Sequence, residues 1–317
     1  MVSLKEKVVN GKRYRYASRS VRLPDGRVAT VEKILKKSEK ATSSGVRAVL
    51  LQKEKDLFTR DALQRYCTGS VFTAAQISKI EGMRIDYRRI IRSLTKRQLQ
   101  DLFDRFTVNF TYESNALEGN SLTLKDVAII IGENVVPKDK DLREVYDTRN
   151  SRKVVDLILK KRLSVSEKEI ITMHRMLVKD MNIPAGFKHV PNFIAGSHVQ
   201  TSSPERVRRD IAALLSWIAA NPQKLHPLQL AVLAHGKFER IHPFEDGNGR
   251  VGRFLFNVML VNNNYPPVII RKTQRTAYLN ALQDFDEGHP QTLERFLLAK
   301  YKETFRKFFG VYVRYIT

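Results

Sequence analysis

The chain has 317 residues, of which 42% are apolar, and this length and composition can bury a core in one large domain or in two modest ones. Its single cysteine, Cys67, excludes an intramolecular disulfide and a cysteine-based metal cluster. The net charge of +23 favours an anionic partner, which could be nucleic acid, nucleotide phosphates, acidic lipid or an acidic protein. The alternative is a solvated basic surface, because acidic residues are interspersed with the basic ones along most of the chain.

The apolar stretches of the chain are too short for a membrane protein. Residues 127–131 and 211–220 are among the most apolar, whereas a membrane span needs about 20 apolar residues. The N-terminal residues lack the continuous apolar core of a signal peptide. We therefore expect a cytoplasmic protein with no membrane partner.

The first predicted element is a β-hairpin over residues 7–35. Tyr14 and Tyr16 alternate with arginines, and the turn sequence Pro-Asp-Gly precedes a second alternating run. The polar residues 36–45 that follow predict a linker. Aromatic residues interleaved with basic ones suit a strand of nucleic acid, but they also fit a hairpin with one buried and one solvated face, so both interpretations stay open.

From residue 46 onward the sequence predicts a mainly α-helical fold. Apolar side chains recur every three or four residues over 94–110, and Ser121, Thr123 and Asp126 resemble the start of another helix. Prolines and glycines interrupt the helical pattern over 183–203, which predicts a short hairpin or flap that can hold a substrate chain. Further helices are predicted at residues 154–161, 166–180, 204–220, 227–241, 249–262, 276–285 and 292–312.

The segment HPFEDGNGRVGR, residues 242–253, contains three glycines with the spacing G-x-G-x-x-G. A dinucleotide-binding loop needs an apolar strand before the first glycine and an acidic residue about 20 positions further on. Here a helical pattern precedes the glycines, and the first carboxylate after Gly252 is Asp284. No Gly-Lys-Ser/Thr follows either, so the pattern is neither a dinucleotide loop nor a Walker loop.

The same segment still predicts phosphate chemistry. Gly247, Asn248 and Gly249 begin a helix, and their backbone N–H groups can bind an anion there. Arg250 and Arg253 lie three residues apart, and both guanidinium groups can bind phosphate oxygens.

The residues ahead of the glycines add a metal ligand and a base. Asp246 offers a hard oxygen ligand suited to Mg²⁺, which takes one or two carboxylates together with phosphates. His242 can accept a proton near neutral pH. Taken together, the segment predicts a reaction at a nucleotide phosphate.

The segment resembles the signature of the Fic family, H-P-F-x-D/E-G-N-G-R-x-x-R, and fills all nine of its fixed positions. The resemblance extends over roughly residues 114–301 and leaves the N-terminal hairpin outside. It implies a Fic-type helical bundle with a short β-hairpin flap over the active site. The chain would then divide into the N-terminal hairpin and linker (1–45), a helical region with an inhibitory motif (46–160) and the catalytic core (161–317).

The resemblance implies an enzyme that transfers AMP from ATP to a Ser, Thr or Tyr hydroxyl of a target protein. His242 would be the base, Asp246 would hold Mg²⁺ on the phosphates, and Arg250 and Arg253 would bind the β- and γ-phosphates. Phe244 would point into the core. Removal of AMP, transfer of another nucleotide, and a nucleic-acid-binding protein with a regulatory Fic core are kept as alternatives, and a homodimer stays open because many relatives dimerise.

An upstream stretch resembles the inhibitory motif of the family, S/T-x-x-x-E-G/N. Its residues are Ser114, Glu118 and Gly119, and the first two share a helix face because they lie four residues apart. The resemblance implies that Glu118 pairs with Arg253 and keeps this arginine away from the γ-phosphate. Inhibition would then be intramolecular.

The remaining site residues follow from the resemblance alone. The flap, 190–200, would clamp the target by strand-like pairing through Val190, Asn192, Phe193 and Ile194. Asn192 replaces an apolar residue of many relatives, and Ala195 replaces a glycine. Tyr278 would contact the adenine, but Asp286 occupies the position of an asparagine, so the nucleotide preference stays open.

Overall fold

The computed structural model of the protein describes residues 2–194, 199–313 and 315. Over this part, a small N-terminal antiparallel sheet is followed by a bundle of α-helices. The prediction of a mainly α-helical fold is therefore confirmed. None of the described helices is both long and apolar enough to cross a bilayer.

The sheet contains one strand more than the predicted hairpin. Its strands β1 (Ser3–Val9), β2 (Lys12–Arg22) and β3 (Val28–Ile34) are antiparallel neighbours in chain order. The predicted hairpin corresponds to β2 and β3. Strand β1 was not predicted because all of its residues are exposed and it shows no buried alternation.

One face of the sheet packs on helix α1 (Ser44–Arg65). Ala17, Val21 and Val31 share a small core with the α1 side chains Val46 and Leu50, among others. On the opposite face, the strand register places lysines of β1 beside the two tyrosines of β2. The two tyrosines therefore lie on the face opposite the small core, and the arginines that alternate with them lie on the side of Ala17 and Val21. Burial of the tyrosines does not explain the alternation, and nucleic acid binding stays a hypothesis.

The helices that follow surround the glycine segment of residues 242–253. Helix α5 begins well before the predicted residue 154, because its buried side carries the polar residues Thr148, Asn150 and Ser151, which hide the apolar period. The later helices begin and end close to their predicted bounds. Their bounds are α2 (Ala74–Ser93), α3 (Lys96–Leu117), α4 (Leu124–Gly132), α5 (Leu142–Leu159), α6 (Glu167–Leu177), α7 (Pro204–Ala220), α8 (Pro227–Ile241), α9 (Asn248–Asn262), α10 (Arg275–Asp286) and α11 (Pro290–Thr304), which a π-helical turn (Phe305–Phe309) and a last turn (Gly310–Val313) continue.

Helix α9 lies in the centre of the bundle. Nearly every residue from Asn248 to Val261 is buried, as expected of a helix that packs against neighbours on all sides. Helices α3, α5, α6 and α8 all contact it. The N-terminus of α9, which carries the predicted phosphate-binding residues, is therefore fixed by the main hydrophobic core.

The connection between α6 and α7 contains the predicted flap. The described residues of this connection, 178–194 and 199–203, form no strand. Residues 195–198, which include Ala195, lie outside the described part of the chain. Pairing of the flap as a hairpin therefore stays a prediction.

Candidate active site

His242 is the first residue after α8 and has a left-handed backbone conformation (φ +51°). Its ring Nδ1 lies 3.2 Å from the carbonyl oxygen of Glu239, so Nδ1–H donates and Nε2 keeps its lone pair. Burial lowers the pKa of His242 below its usual value of 6.5, although the hydrogen bond to Glu239 opposes this shift. The imidazole is therefore neutral at neutral pH and can accept a proton at Nε2.

The loop after His242 is held by one asparagine. The Asn248 side chain accepts a hydrogen bond from the Phe244 N–H (2.8 Å) and donates one to the Phe244 carbonyl oxygen (2.7 Å). Phe244 is fully buried, which agrees with its prediction as a core residue. Because both amide atoms of Asn248 are used in this way, only its backbone N–H is left for an anion.

His174 of α6 is a site residue that the sequence reasoning missed. It stacks on Phe244 with 3.9 Å between the ring centroids and an angle of 3°. Its Nε2–H donates to the Asp246 carbonyl oxygen (3.0 Å), and its Nδ1 accepts from the Gly186 N–H (3.1 Å). Burial lowers its pKa to about 4, so the ring is neutral. The spacing of Ile170, His174 and Leu177 places His174 on the apolar face of α6, and this pattern is the sequence feature that could have identified it.

The first turn of α9 has no side-chain cap, and a carboxylate lies beside it. Gly247 begins the turn with a left-handed conformation (φ +81°) that suits glycine. A Cβ on Gly249 would lie only 2.3 Å from Oε1 of Glu118. The carboxylate of Glu118 therefore lies at the positive end of α9, where an anionic ligand would also be attracted.

Glu118 and Arg253 form an ion pair, with 2.7 Å between Oε1 and Nη2. Arg253 also donates from Nε to the Ser114 hydroxyl (3.0 Å) and from Nη2 to the Ser114 carbonyl oxygen (2.8 Å). Burial opposes ionisation of Glu118, but Arg253 holds its pKa below the usual value. Gly119 follows with a left-handed backbone (φ +96°) after the end of α3. The structure thus brings together the residues of the predicted inhibitory motif and Arg253.

Asp246 and Arg250 are both paired with side chains of α5, which no sequence pattern indicated. Arg143 donates from Nη2 to Oδ2 of Asp246 (2.8 Å), and Asp147 forms a short ion pair with Nη1 of Arg250. Asp246 also accepts from the Gly247 N–H (2.5 Å) and lies 3.4 Å from Nη2 of Arg250. The predicted metal ligand and the first predicted phosphate-binding arginine are therefore in contact with the same helix.

The chemistry of this site fits a magnesium–nucleotide complex better than a metal bound by protein alone. The Asp246 carboxylate is 41% exposed and offers hard oxygen ligands. No cluster of three or more His, Cys, Asp or Glu side chains that could hold a metal occurs among the described residues. Mg²⁺ commonly binds through one or two carboxylates and substrate phosphates, so a single carboxylate beside a phosphate site is sufficient.

The two predicted adenine-binding residues lie on α10. Tyr278 is buried, and its hydroxyl is 2.7 Å from Nε2 of His235. Asp286 is partly buried, its Oδ1 has no hydrogen-bond partner among the described residues, and burial raises its pKa. Nearby, burial raises the pKa of Glu239 to about 8, so this region holds two carboxyl groups that are easily protonated.

The described flap residues divide into anchoring and exposed side chains. Asn192 donates from Nδ2 to the Phe244 carbonyl oxygen (2.7 Å), and Lys188 donates to Oδ1 of Asn192 (2.5 Å). Ile194 is partly buried, whereas Val190 is 55% and Phe193 is 83% exposed. Val190 and Phe193 thus remain available for a target, while the Asn192 side chain joins the flap to the motif loop.

Comparison with known proteins agrees with this arrangement. Residues 164–260 match the Fic/DOC family. The protein adenylyltransferase Fic of Nematostella vectensis is 32% identical over 192 residues, which are 59% of this chain and 45% of the relative. The enzyme of the same name from Drosophila melanogaster is 31% identical over 195 residues, or 59% of this chain and 39% of the relative. The chain thus spans less than half the length of these curated relatives.

Solved structures share the fold. A Fic domain-containing signalling protein from Bacteroides thetaiotaomicron has a TM-score of 0.67 at 24% identity, over 75% of this chain and 96% of that chain. A Fic family protein from Desulfovibrio desulfuricans has a TM-score of 0.63 at 22% identity, over 79% and 77% of the two chains. Residues 164–260 of this chain therefore match the Fic/DOC family, and the helical bundle shares the fold of these two structures.

Proposed function

We propose that the chain is an autoinhibited protein adenylyltransferase, which transfers AMP from ATP to a Ser, Thr or Tyr hydroxyl of a target protein. The observation that carries this proposal is the position of His242, which follows α8 and precedes the glycine-lined N-terminus of α9 in the chain, and whose Nε2 carries the lone pair because Nδ1–H donates to Glu239. The names of the curated relatives, protein adenylyltransferase Fic, support the same reaction.

In the proposed reaction, Nε2 of His242 takes the proton of the target hydroxyl. The hydroxyl oxygen attacks the α-phosphorus of ATP, the bond between this phosphorus and the oxygen bridging to the β-phosphate breaks, and pyrophosphate leaves with the electron pair. A general base of this kind contributes about 10²–10⁴-fold to the rate. The backbone N–H groups of Asn248 and Gly249 stabilise the negative charge on the transferred phosphate, whereas the Gly247 N–H donates to the Asp246 carboxylate.

Asp246 is the residue that would hold Mg²⁺, and the cation would neutralise charge on the phosphates of the nucleotide when bound. Arg250 and Arg253 bind the phosphates that leave. Arg253 is almost completely buried.

Glu118 is the proposed inhibitor. Its carboxylate occupies the space in front of Gly249 and neutralises Arg253. A phosphate placed there would be repelled by the carboxylate and would lack the arginine. Because α3 carries Ser114 and ends next to Glu118, inhibition acts within one chain.

A labelling experiment tests the proposal. With Mg²⁺ and labelled ATP, Glu118→Gly should raise incorporation into target or self well above the unaltered chain, about 10-fold or more. His242→Ala in the same background should abolish labelling. Glu118→Gln is the matched control: it keeps the shape, removes the charge, and should activate in part.

The nucleotide and the direction of the reaction are tested with the same variants. Labelled GTP, CTP and UTP are compared with ATP, using a cell extract as the source of target. Equal labelling with and without Glu118 would remove the inhibitory role. Release of AMP from a modified target by the unaltered chain, with no labelling by Glu118→Gly, would favour AMP removal as the main activity.

A further inference from the structure

Helix α5 presents two oppositely charged side chains to the Fic motif. Arg143 contacts Asp246, and Asp147 contacts Arg250. The two α5 residues lie four positions apart and therefore share one face of the helix. Each of them meets a motif residue of the opposite charge.

Arg250 lies between two carboxylates that hold it unequally. Its Nη1 is hydrogen-bonded to Asp147, whereas its Nη2 is 3.4 Å from Asp246, near the outer limit of a hydrogen bond. The Asp147 side chain is 14% exposed and that of Asp246 is 41% exposed. Since an ion pair is stronger away from water, Asp147 determines where the guanidinium lies.

We propose that Asp147 is a positioning residue that holds the Arg250 guanidinium back from Asp246 and so leaves the Asp246 carboxylate available for a divalent cation. Without Asp147, Arg250 would close on Asp246 and compete with the cation for the same oxygens. Asp246 also accepts a hydrogen bond from the Gly247 N–H and pairs with Arg143. Arg143 is 60% exposed and forms a contact that water and salt weaken, so a cation can displace it. The inference rests on the proposed function for the identity of the cation site.

Removal of the acidic residue Asp147 should weaken cation binding, because Arg250 would then pair with Asp246 in place of the cation. Mn²⁺ is titrated into the full chain, and free Mn²⁺ is measured by electron paramagnetic resonance. Loss of Mn²⁺ binding in Asp246→Ala identifies the part of the titration that belongs to the Asp246 site. Asp147→Ala should weaken Mn²⁺ binding about threefold to tenfold. Asp156→Ala is the control, because Asp156 lies on the same helix and pairs with Arg152 of α5 at 3.6 Å; its affinity should be unchanged.

A double-mutant cycle separates positioning from direct coordination. In an Arg250→Ala background, Asp147→Ala should cause no further loss of Mn²⁺ affinity. An equal loss in both backgrounds would make Asp147 a direct cation ligand and would overturn the proposal, as would no loss in either. If Asp147→Ala does not fold, the same cycle is run with Asp147→Asn. The readout is cation binding, so failure of AMP labelling and failure of this proposal are distinguishable.

Discussion

At the scale of single residues, the proton acceptor of the site gives the clearest pH dependence. His242 is neutral in the fold, and its pKa lies below 6.5 because of burial. In the proposed reaction the neutral form of His242 accepts the proton, so activity should be present above this pKa and lost as the pH falls through it. In the Glu118→Gly protein, we expect the acid limb of kcat/KM to have its midpoint below 6.5.

The charges of Glu118 and Asp246 both raise the pKa of His242. The acid limb of Glu118→Gly should therefore have its midpoint at a lower pH than that of the unaltered chain. The measurement is kcat/KM for AMP transfer between pH 5 and 8. A midpoint at or above 6.5 would contradict a buried neutral base.

At the scale of helices and strands, periodicity predicted the apolar elements and missed those with polar interiors. Helices α7 and α8 have the predicted bounds because apolar spacing and proline mark them. Strand β1 is fully exposed, and its one signal was the Asn10-Gly11 pair, whose positive φ angles of 51° and 75° form the turn into β2. The motif predicted the site residues in the loop after α8 and on α9. Arg143 and Asp147 could not be predicted, because only the packing of α5 against α9 brings them to the site.

The close packing of α8 against α9 leads to a prediction about the substitution of Gly252. A Cβ at Gly252 would lie 2.1 Å from Oε1 of Glu239 and 3.1 Å from the Phe238 ring, and both side chains are buried. Gly252→Ala should therefore destabilise the fold by about 1–3 kcal/mol, despite the better helix propensity of alanine. Urea unfolding should show a lower midpoint with an unchanged slope.

Gly82→Ala is the matched control. Gly82 lies inside α2, and a Cβ there would meet no atom within 4 Å. Alanine should therefore stabilise this helix by about 0.5–1 kcal/mol. Equal effects at the two glycines would contradict close packing of α8 on α9.

At the scale of the whole molecule, buried neutral histidines should make the fold sensitive to acid. Burial lowers the pKa of His174 to about 4 and that of His235 to about 3. In the unfolded chain both return to about 6.5, so the unfolded state binds more protons and stability falls as the pH drops below 6.5. Glu239 acts in the opposite direction, because its pKa of about 8 in the fold favours the folded state on acidification.

Between pH 6.5 and 4.5 the contributions of His174 and His235 together exceed that of Glu239, so these three groups together lower the free energy of unfolding on acidification. Protonation of His174 would also remove its hydrogen bond with Gly186, because a protonated Nδ1 cannot accept from the Gly186 N–H. His174→Asn should lower stability at pH 7 but flatten its pH dependence between 6.5 and 4 by up to about 3 kcal/mol. Urea unfolding at a series of pH values measures both effects, and an unchanged slope in the variant would show that His174 is not the group whose protonation weakens the fold.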